Sequence, residues 1–296
     1  MEKPVGIVGV GNMGGAMAAR LLEQGWAVRV FDIAPAKVGA LQGQGAIACG
    51  DAADAARGCR ALIVCVVDAQ QAEVVLFGAQ GAAAAMGPGQ AVLLCPTIAP
   101  QDTQALARRL GELGIDVIDA PMSGGPARAR DGSMSLMVAC ADAAFERNAP
   151  LLAALSSKVF RISQEPGDGA ATKLVNNLLA GINLVGAAEA MALAQQLGLR
   201  LDRTLDVIEQ SSGQSWIGSD RMRRAIRGDY EPRAHVALLQ KDTRLAMEAA
   251  AGAGFEGPLG AAARDVFARA AAAGLAQLDD AALFQLLSKT GDTPEV

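Results

Sequence analysis

The sequence has one histidine in 296 residues, His235. That excludes a His-rich metal site, an HExxH pair and a zinc site gathered from scattered His and Cys, so no metal is expected. Aromatic residues make up 3% of the chain, too few for the stacking platforms that hold single-stranded nucleic acid. The five cysteines, Cys49, Cys59, Cys65, Cys95 and Cys140, form no CxxC pair. Their number is odd and most sit in apolar runs, so they read as buried thiols of a cytoplasmic protein. Net charge is -5 and the isoelectric point about 5.1. No basic footprint therefore points to nucleic acid or an acidic membrane as partner. No uninterrupted apolar run reaches the length of a membrane span, and Met1 to Pro4 is too short for a leader ahead of the first strand. Neither segment is expected.

What is present is a globular composition. Hydrophobic residues account for 51% and charged residues for 19%, which excludes a disordered chain. Alanine occurs 62 times, which favours many helices. The length suits two domains, each able to bury its own core. In the first half, apolar runs at Val5–Val10, Ala27–Phe31, Ala61–Val67, Ala91–Cys95, Val117–Asp119 and Ser135–Ala139 alternate with helical patterns at Met13–Gln24, Pro35–Gln42 and Gln101–Leu113. This alternation predicts an α/β domain, a parallel sheet with helices on both faces. After about Ile162 only helical periods remain. Asp168–Gln196 is one pattern, roughly 44 Å long as a helix. It contains Lys173, Asn176, Asn177, Asn183 and Glu189, which argues against a membrane span. Further helices are expected near Leu201–Gln210, Val236–Gly252, Leu259–Ala273 and Asp280–Leu287, and the short run Ala82–Ala85 reads as helical. The expected domains are residues 1–163 and an all-helical 164–296 built on the long helix.

The first strand leads into Gly9-Val10-Gly11-Asn12-Met13-Gly14, a GxGxxG opening a helix. In a Rossmann-type dinucleotide site the first glycine makes the tight turn, the second admits a pyrophosphate and the third lets helix and strand pack closely. The helix N-terminus adds N–H donors and partial positive charge. The second strand ends at Asp32, where a ribose-binding acid belongs. A carboxylate there accepts from the 2′-hydroxyl of NAD and repels the 2′-phosphate of NADP. Ile33 and Ala34 follow with no Arg to hold that phosphate, and Lys37 is a helical turn away. NAD is therefore the expected cofactor. Asp32 can also cap the helix ahead of Pro35.

The chain has six lysines against twenty arginines, so a lysine within an apolar helix calls for a reason. An amine shuttles protons near neutral pH once its pKa is lowered, whereas a guanidinium does not. Lys173 is one such lysine, with Asn177 four residues on along the same face. Gly167 and Gly169 precede it and would let a ligand approach. On spacing alone, Lys173 as a snorkelling side chain is an equal reading. Asp119 to Pro126, directly after a strand, presents Ser123, Gly124 and Gly125, small residues whose amides and hydroxyl suit a carboxylate; an ordinary Gly/Pro loop is the alternative. Thr97, after another strand, either touches the nicotinamide or caps the next helix. Lys241-Asp242 is either a structural ion pair or an arm reaching the active crevice.

Together these segments resemble the β-hydroxyacid dehydrogenase family, which includes 3-hydroxyisobutyrate dehydrogenase and tartronate semialdehyde reductase. The resemblance covers nearly the whole chain and rests on Ile7 to Ala18, Asp119 to Gly125, Gly169 to Asn177 and Lys241-Asp242, in that order. It implies hydride transfer from an alcohol carbon to NAD, with Lys173 taking the hydroxyl proton. Ser123, Gly124, Gly125, Asn177 and Lys241 would hold the substrate. Gly9, Gly11, Asn12, Met13, Gly14, Asp32, Val67, Thr97 and Lys241 would hold the cofactor. Val66 to Ala69, Val75 to Gly78, Leu178 to Gly181 and Gln214 to Trp216 resemble the branch that oxidises L-threonate to 2-oxo-tetronate. Asp68 and the Asn176-Asn177 pair depart from that branch, the pair towards the hydroxyisobutyrate pattern. The polar groups of Gln214, Ser215, Trp216 and Arg221 are expected to suit a multiply hydroxylated acid. A homodimer or homotetramer is expected, since a long apolar helix buries well against its mate. The competing chemistries fit less well: no YxxxK follows Tyr230, His235 would have to act alone, and 6-phosphogluconate dehydrogenases have His at the Asn176 position. A non-catalytic NAD-binding module is the rival of a different class, and the presence of Lys173 argues against it.

Overall fold

Alternating apolar and helical periods in the first half build a sheet layered between helices. The computed structural model describes residues 4–288. Its strands are β1 (Val5–Val8), β2 (Val28–Phe31), β3 (Ile47–Ala48), β4 (Ala61–Val64), β5 (Ala91–Leu94), β6 (Asp116–Asp119), β7 (Met122–Ser123), β8 (Ser135–Ala139) and β9 (Lys158–Ser163). Between them run α1 (Asn12–Glu23), α2 (Pro35–Gln42), α3 (Ala52–Ala56), α4 (Ala69–Phe77), α5 (Pro100–Glu112), α6 (Gly125–Asp131) and α7 (Asp142–Leu155). Ala82–Ala85 is a single 3₁₀ turn.

The strand order is β3-β2-β1-β4-β5-β6-β8-β7, with β9 beside β8. From β3 to β6 every pairing is parallel, with Val5 opposite both Val28 and Ala61. Beyond β6 the sheet reverses: β8 pairs antiparallel with β6 and β7, and β9 lies parallel to β8. The sequence pattern did not reveal β3, β7 or β9. The first two have two residues each, too short to show a period, and β9 is only partly buried.

Strands β1, β4 and β5 are buried along their whole length, which is why they read as unbroken apolar runs. Their side chains alternate between two cores. Val5, Ile7, Ile63 and Leu93 face Met17 and Leu21 of α1. Val8, Leu62, Val64 and Val92 face Ala55 of α3, Leu76 of α4 and Leu110 of α5.

The chain divides into two compact units, Met1–Lys173 and Leu174–Val296, and the division falls inside α8 (Asp168–Gln196). The helical unit continues with α9 (Leu201–Glu209), α10 (Trp216–Ala225), α11 (Val236–Gly252), α12 (Pro258–Ala270) and α13 (Leu283–Ser288). Helix α10 was not foreseen. Ser215 begins it by accepting the Gly218 N–H through its hydroxyl. Leu184, Ala188 and Met191 of α8 form a core with Leu205, Met222, Val236 and Phe267. By length and composition α8 would cross a membrane, with a best-window mean hydropathy of 1.4. Its Leu184, Ala188 and Met191 instead fill the centre of this unit.

Candidate active site

The carboxyl ends of the parallel strands lie along one edge of the sheet. Gly9 to Gly14 follow β1, Asp32 follows β2, Val67 follows β4, Thr97 follows β5, and Asp119 ends β6. Connections reverse direction between β1 and β4, and crevices at such switch points receive ligands in open parallel sheets. Tertiary structure thus gathers onto one edge residues spread over more than a hundred positions of sequence.

Each glycine of the fingerprint has its own steric reason. Gly9 has φ +87°, and a Cβ on it would come 2.3 Å from the Cys65 carbonyl oxygen. A Cβ on Gly14 would lie 2.0 Å from the Gly9 carbonyl oxygen, so this glycine permits α1 to start against β1. Gly11 is different: its Cβ would meet only the Lys37 Nζ, 3.9 Å away. The space beside Gly11 is therefore open on the ligand side, as a pyrophosphate requires. Gly11 is also the N-cap of α1, whose first N–H groups have no side-chain cap. The loop fits a dinucleotide.

Asp32 holds this loop. Its Oδ2 accepts the Val10 N–H at 2.8 Å, and its Oδ1 accepts the Ala34 N–H at 2.8 Å. A carboxylate has about four lone-pair positions, so two acceptor positions remain for ribose hydroxyls. The N-cap of α2 is Ala34, so Asp32 braces the turn ahead of that helix without occupying the cap. Val67 is half exposed, and its N–H donates to Gln71 Oε1, while Asp68 caps α4 by accepting the Gln71 N–H. Thr97 lies two residues ahead of Ala99, the N-cap of α5.

Beyond β6, Ser123 belongs to β7 and pairs with Ser135, so the expected loop is in part a strand. Gly124 and Gly125 have φ +128° and +76° and open α6. Asp119 is buried, and its Oδ2 accepts the N–H groups of Gly167 at 2.8 Å and Ala170 at 3.0 Å. Burial pushes the Asp119 carboxyl up to about 6, against the pull of the Ala170, Gly167 and Gly169 N–H groups. This one carboxyl ties the end of β6 to the start of α8, three residues before Lys173. It also corrects the expectation for the two glycines there. A Cβ on Gly169 would meet the Met137 carbonyl oxygen at 2.7 Å and Asp119 Oδ2 at 2.9 Å, and one on Gly167 would meet the Gln104 side chain at 2.9 Å. They make room for the protein's own groups rather than for a ligand.

Lys173 is buried, with Asn177 buried one turn further along α8. In the helical unit, Asn177 Nδ2 donates to Asp242 Oδ2 at 2.6 Å, and Asn177 Oδ1 accepts from Asn176 Nδ2 at 3.0 Å. Lys241 Nζ lies 2.9 Å from Asp242 Oδ1. That oxygen has no partner meeting hydrogen-bond geometry, so the contact is a charge pairing. Among the described residues, no group of three or more His, Cys, Asp or Glu is placed to hold a metal ion. Burial raises the thiols of Cys59, to about 11, and of Cys95 and Cys140, so none of these is a ready nucleophile.

A family model for the NAD-binding domain of 6-phosphogluconate dehydrogenase matches residues 4–163. A second, described as the NAD-binding part of NADP-dependent 3-hydroxyisobutyrate dehydrogenase, matches residues 167–287. The L-threonate dehydrogenase of Cupriavidus necator is 39% identical over 97% of this chain and 96% of its own. The chain belongs to the β-hydroxyacid dehydrogenases. The L-threonate dehydrogenase of Escherichia coli K12 is 40% identical over 97% of this chain and 95% of its own. A crystal structure of 3-hydroxyisobutyrate dehydrogenase from Salmonella typhimurium superposes with a TM-score of 0.91 at 39% identity, covering 96% of this chain and all of that one. The protein is an NAD-binding oxidoreductase acting on a CH–OH group.

In this β-hydroxyacid dehydrogenase Ser215 and Arg221 are placed otherwise than as groups for a polyol, whereas His235 lies at the start of a helix of the second unit, as the sequence suggested. Ser215 caps α10. Arg221, partly buried, is held in a cluster with Asp220 and Asp280 rather than offered to a polyol. His235 is the N-cap residue of α11, and its Nδ1 donates to the Gln277 carbonyl at 2.8 Å. The brace supplied by Asp119 was missed, although an acid ending a strand before Ala120-Pro121 marked the position. Lys37, a helical turn from Asp32 in sequence, brings its Nζ to 3.9 Å from where a Cβ on Gly11 would stand; spacing along α2 does not reveal which way a long side chain leans.

Proposed function

We propose that this dehydrogenase oxidises a small, multiply hydroxylated acid, L-threonate, to 2-oxo-tetronate. The reading rests on the buried Lys173, set by the Asp119 brace at the start of α8. It also rests on relatives of 37–40% identity named for L-threonate. Lys173 acts as general base: its amine takes the hydroxyl proton as the C–O bond becomes C=O. NAD, when bound, accepts the hydride that leaves the same carbon. Ser123 and the backbone N–H groups around Gly124 and Gly125 hold the carboxylate, and Asn177 and Lys241 are further substrate-binding groups. Gly9, Gly11, Asn12, Met13, Gly14, Asp32, Val67 and Thr97 bind the cofactor, with Lys241 as a further contact. Domain 1–163 is the nucleotide-binding part and 164–296 the substrate and dimerisation part. The protein works in the cytoplasm, in carbohydrate metabolism, as a homodimer or homotetramer.

The test is steady-state turnover with NAD. A site that hydrogen-bonds hydroxyls rejects an analogue lacking them, by up to about 10⁴ in kcat/KM. L-threonate is expected to exceed 3-hydroxyisobutyrate clearly, and the reverse order would move the protein to the hydroxyisobutyrate branch. Lys173→Ala is expected to lower kcat by about 10²–10⁴-fold with NAD affinity retained. Near-normal turnover in that variant would remove Lys173 from catalysis.

A further inference from the structure

The turn that opens α6 holds two glycines in different surroundings. Beyond its chain neighbours, a Cβ on Gly125 would have no atom of the described residues within 4 Å, so that side of the turn is open. A Cβ on Gly124 would lie 2.9 Å from Arg128 Cδ, 3.1 Å from Arg128 Cβ and 3.3 Å from Met134 Cα. The stem of Arg128 thus lies across Gly124, in the space that a side chain there would fill. Nε is one bond and Cζ two bonds beyond Cδ, so the guanidinium is held close to the turn that carries Ser123, Gly124 and Gly125.

The backbone fixes where that stem begins. The Arg128 carbonyl oxygen accepts the N–H groups of Gly132 at 2.9 Å and Met134 at 3.0 Å, and Ala129 beside it is fully buried. Arg128 itself is half-buried. A cation placed in this way loses little further freedom on meeting an anion. The neighbouring cations are committed elsewhere. Arg130 is hydrogen-bonded to Glu23, and Arg20 donates to the carbonyl oxygens of Ala154 and Asp131. Asp131, the acid three residues beyond Arg128, accepts the Ser133 N–H at 2.7 Å.

The Ser123 hydroxyl and the N–H groups around Gly124 and Gly125 are neutral donors. They can orient a carboxylate, but they leave its charge unbalanced once water is displaced. Lys173 does not supply that balance, because a general base is neutral before it takes the proton. Lys241 has its own counter-charge, with Asp242 Oδ1 at 2.9 Å. A guanidinium stays charged at every working pH and meets a carboxylate through two parallel N–H···O bonds. We propose that Arg128 is a substrate-binding residue whose guanidinium pairs with the substrate's carboxylate beside Ser123. This rests on the carboxylate placement given under the proposed function and adds the charge by which the site selects acids over their neutral analogues.

The test compares an acid with its primary amide, which keeps the size and the hydroxyls and removes the charge. Wild type, Arg128→Met, Arg128→Lys and Arg130→Met are assayed with NAD on L-threonate and L-threonamide, with circular dichroism and NAD affinity as checks on the fold. Arg128→Met keeps an unbranched stem across Gly124. It is expected to raise KM for the acid by roughly 10–100-fold, with kcat changed far less. Its kcat/KM for the amide should stay near that of wild type, so the acid-over-amide ratio falls by the same factor. Arg128→Lys should keep part of the ratio, since the charge remains and the fork is lost. Arg130→Met should leave the ratio unchanged, because that guanidinium belongs to Glu23. A merely structural Arg128 would lower acid and amide turnover together, and an unchanged ratio in Arg128→Met would overturn the proposal. The same pair of measurements on 3-hydroxyisobutyrate and its amide separates the two readings. If the enzyme prefers that acid, the L-threonate reading fails, while the ratio in Arg128→Met still decides the role of Arg128. A wild type that treats acid and amide alike would overturn the carboxylate site and Arg128 together.

Discussion

At the scale of the residue, Asp32 and Lys37 place opposite charges beside the glycine loop. Asp32 braces the glycine loop and keeps acceptor positions for ribose hydroxyls, and its charge opposes a 2′-phosphate. Asp32→Ala should weaken NAD binding and narrow the gap between NAD and NADP turnover. The Lys37 Nζ, poised over Gly11, is then the cation available to a phosphate. Adding Lys37→Ala to that variant should reopen the gap by lowering NADP turnover. Comparing kcat/KM for both cofactors across the single and double variants checks this. Unchanged NADP turnover on removing Lys37 would show that the ammonium does not reach the phosphate. Asp32 was legible in the sequence because it sits where a strand ends. The place of Lys37 was not, since a flexible four-carbon stem leaves its direction to the fold.

At the scale of the element, the strand–loop–helix unit separates two kinds of glycine that look alike in a motif. Gly14 lets α1 pack on β1, with the Gly9 carbonyl oxygen 2.0 Å from any added Cβ. Gly14→Ala is therefore expected to lower stability by about 1–3 kcal/mol or more, as overpacking does, seen as a fall in Tm. Gly11→Ala faces open space, so Tm should hold within about 0.5 kcal/mol of equivalent stability. Its NAD affinity should fall, because a methyl group would stand where the pyrophosphate approaches. Equal effects on Tm would contradict this division. Helix α8 shows the same contrast: Gly169 makes room for Asp119 and Met137, whereas a Cβ on Gly186 would have no atom of the described residues within 4 Å.

At the scale of the whole molecule, stability should respond to pH from two directions. Asp54 is held below the ordinary carboxylate range by the Gly50 N–H and by Arg29, and Asp279 by the Arg233 and Ala281 N–H groups and by Arg224, each against the opposing effect of burial. Their contributions are present above the unfolded pKa and are lost as pH falls through the folded one. Asp119 works the other way. With a folded value of about 6 against 3.8, the native state binds more protons between them, so stability falls as pH rises through that window. Asp119→Asn keeps an oxygen for the Gly167 and Ala170 N–H groups and removes the charge. Its Tm relative to wild type should rise between pH 4 and 7, by the equivalent of about 2 kcal/mol. Calorimetry at a series of pH values checks this, and a constant difference would mean that the buried carboxyl does not titrate in that range.

Most of the element order, the glycine-rich loop after β1, the acid that follows β2 and the helical second half were readable in one dimension. Each depends on periodicity or on neighbours within a few residues, and both are written in the chain itself. Asp168–Gln196 was foreseen to the residue because its pattern is unbroken for eight turns. Tertiary structure alone decided the rest. The reversal of the sheet at β8 and the two-residue strands β3 and β7 depend on partners far away in sequence. So does the commitment of Arg221 to Asp220 and Asp280, which turned an expected pocket residue into part of an ion-pair cluster. The brace from Asp119 to Gly167 and Ala170 spans some fifty residues, and no local pattern encodes which buried carboxyl a helix start will meet. Burial and long-range pairing follow from how surfaces fit in three dimensions, and sequence spacing carries no record of that fit.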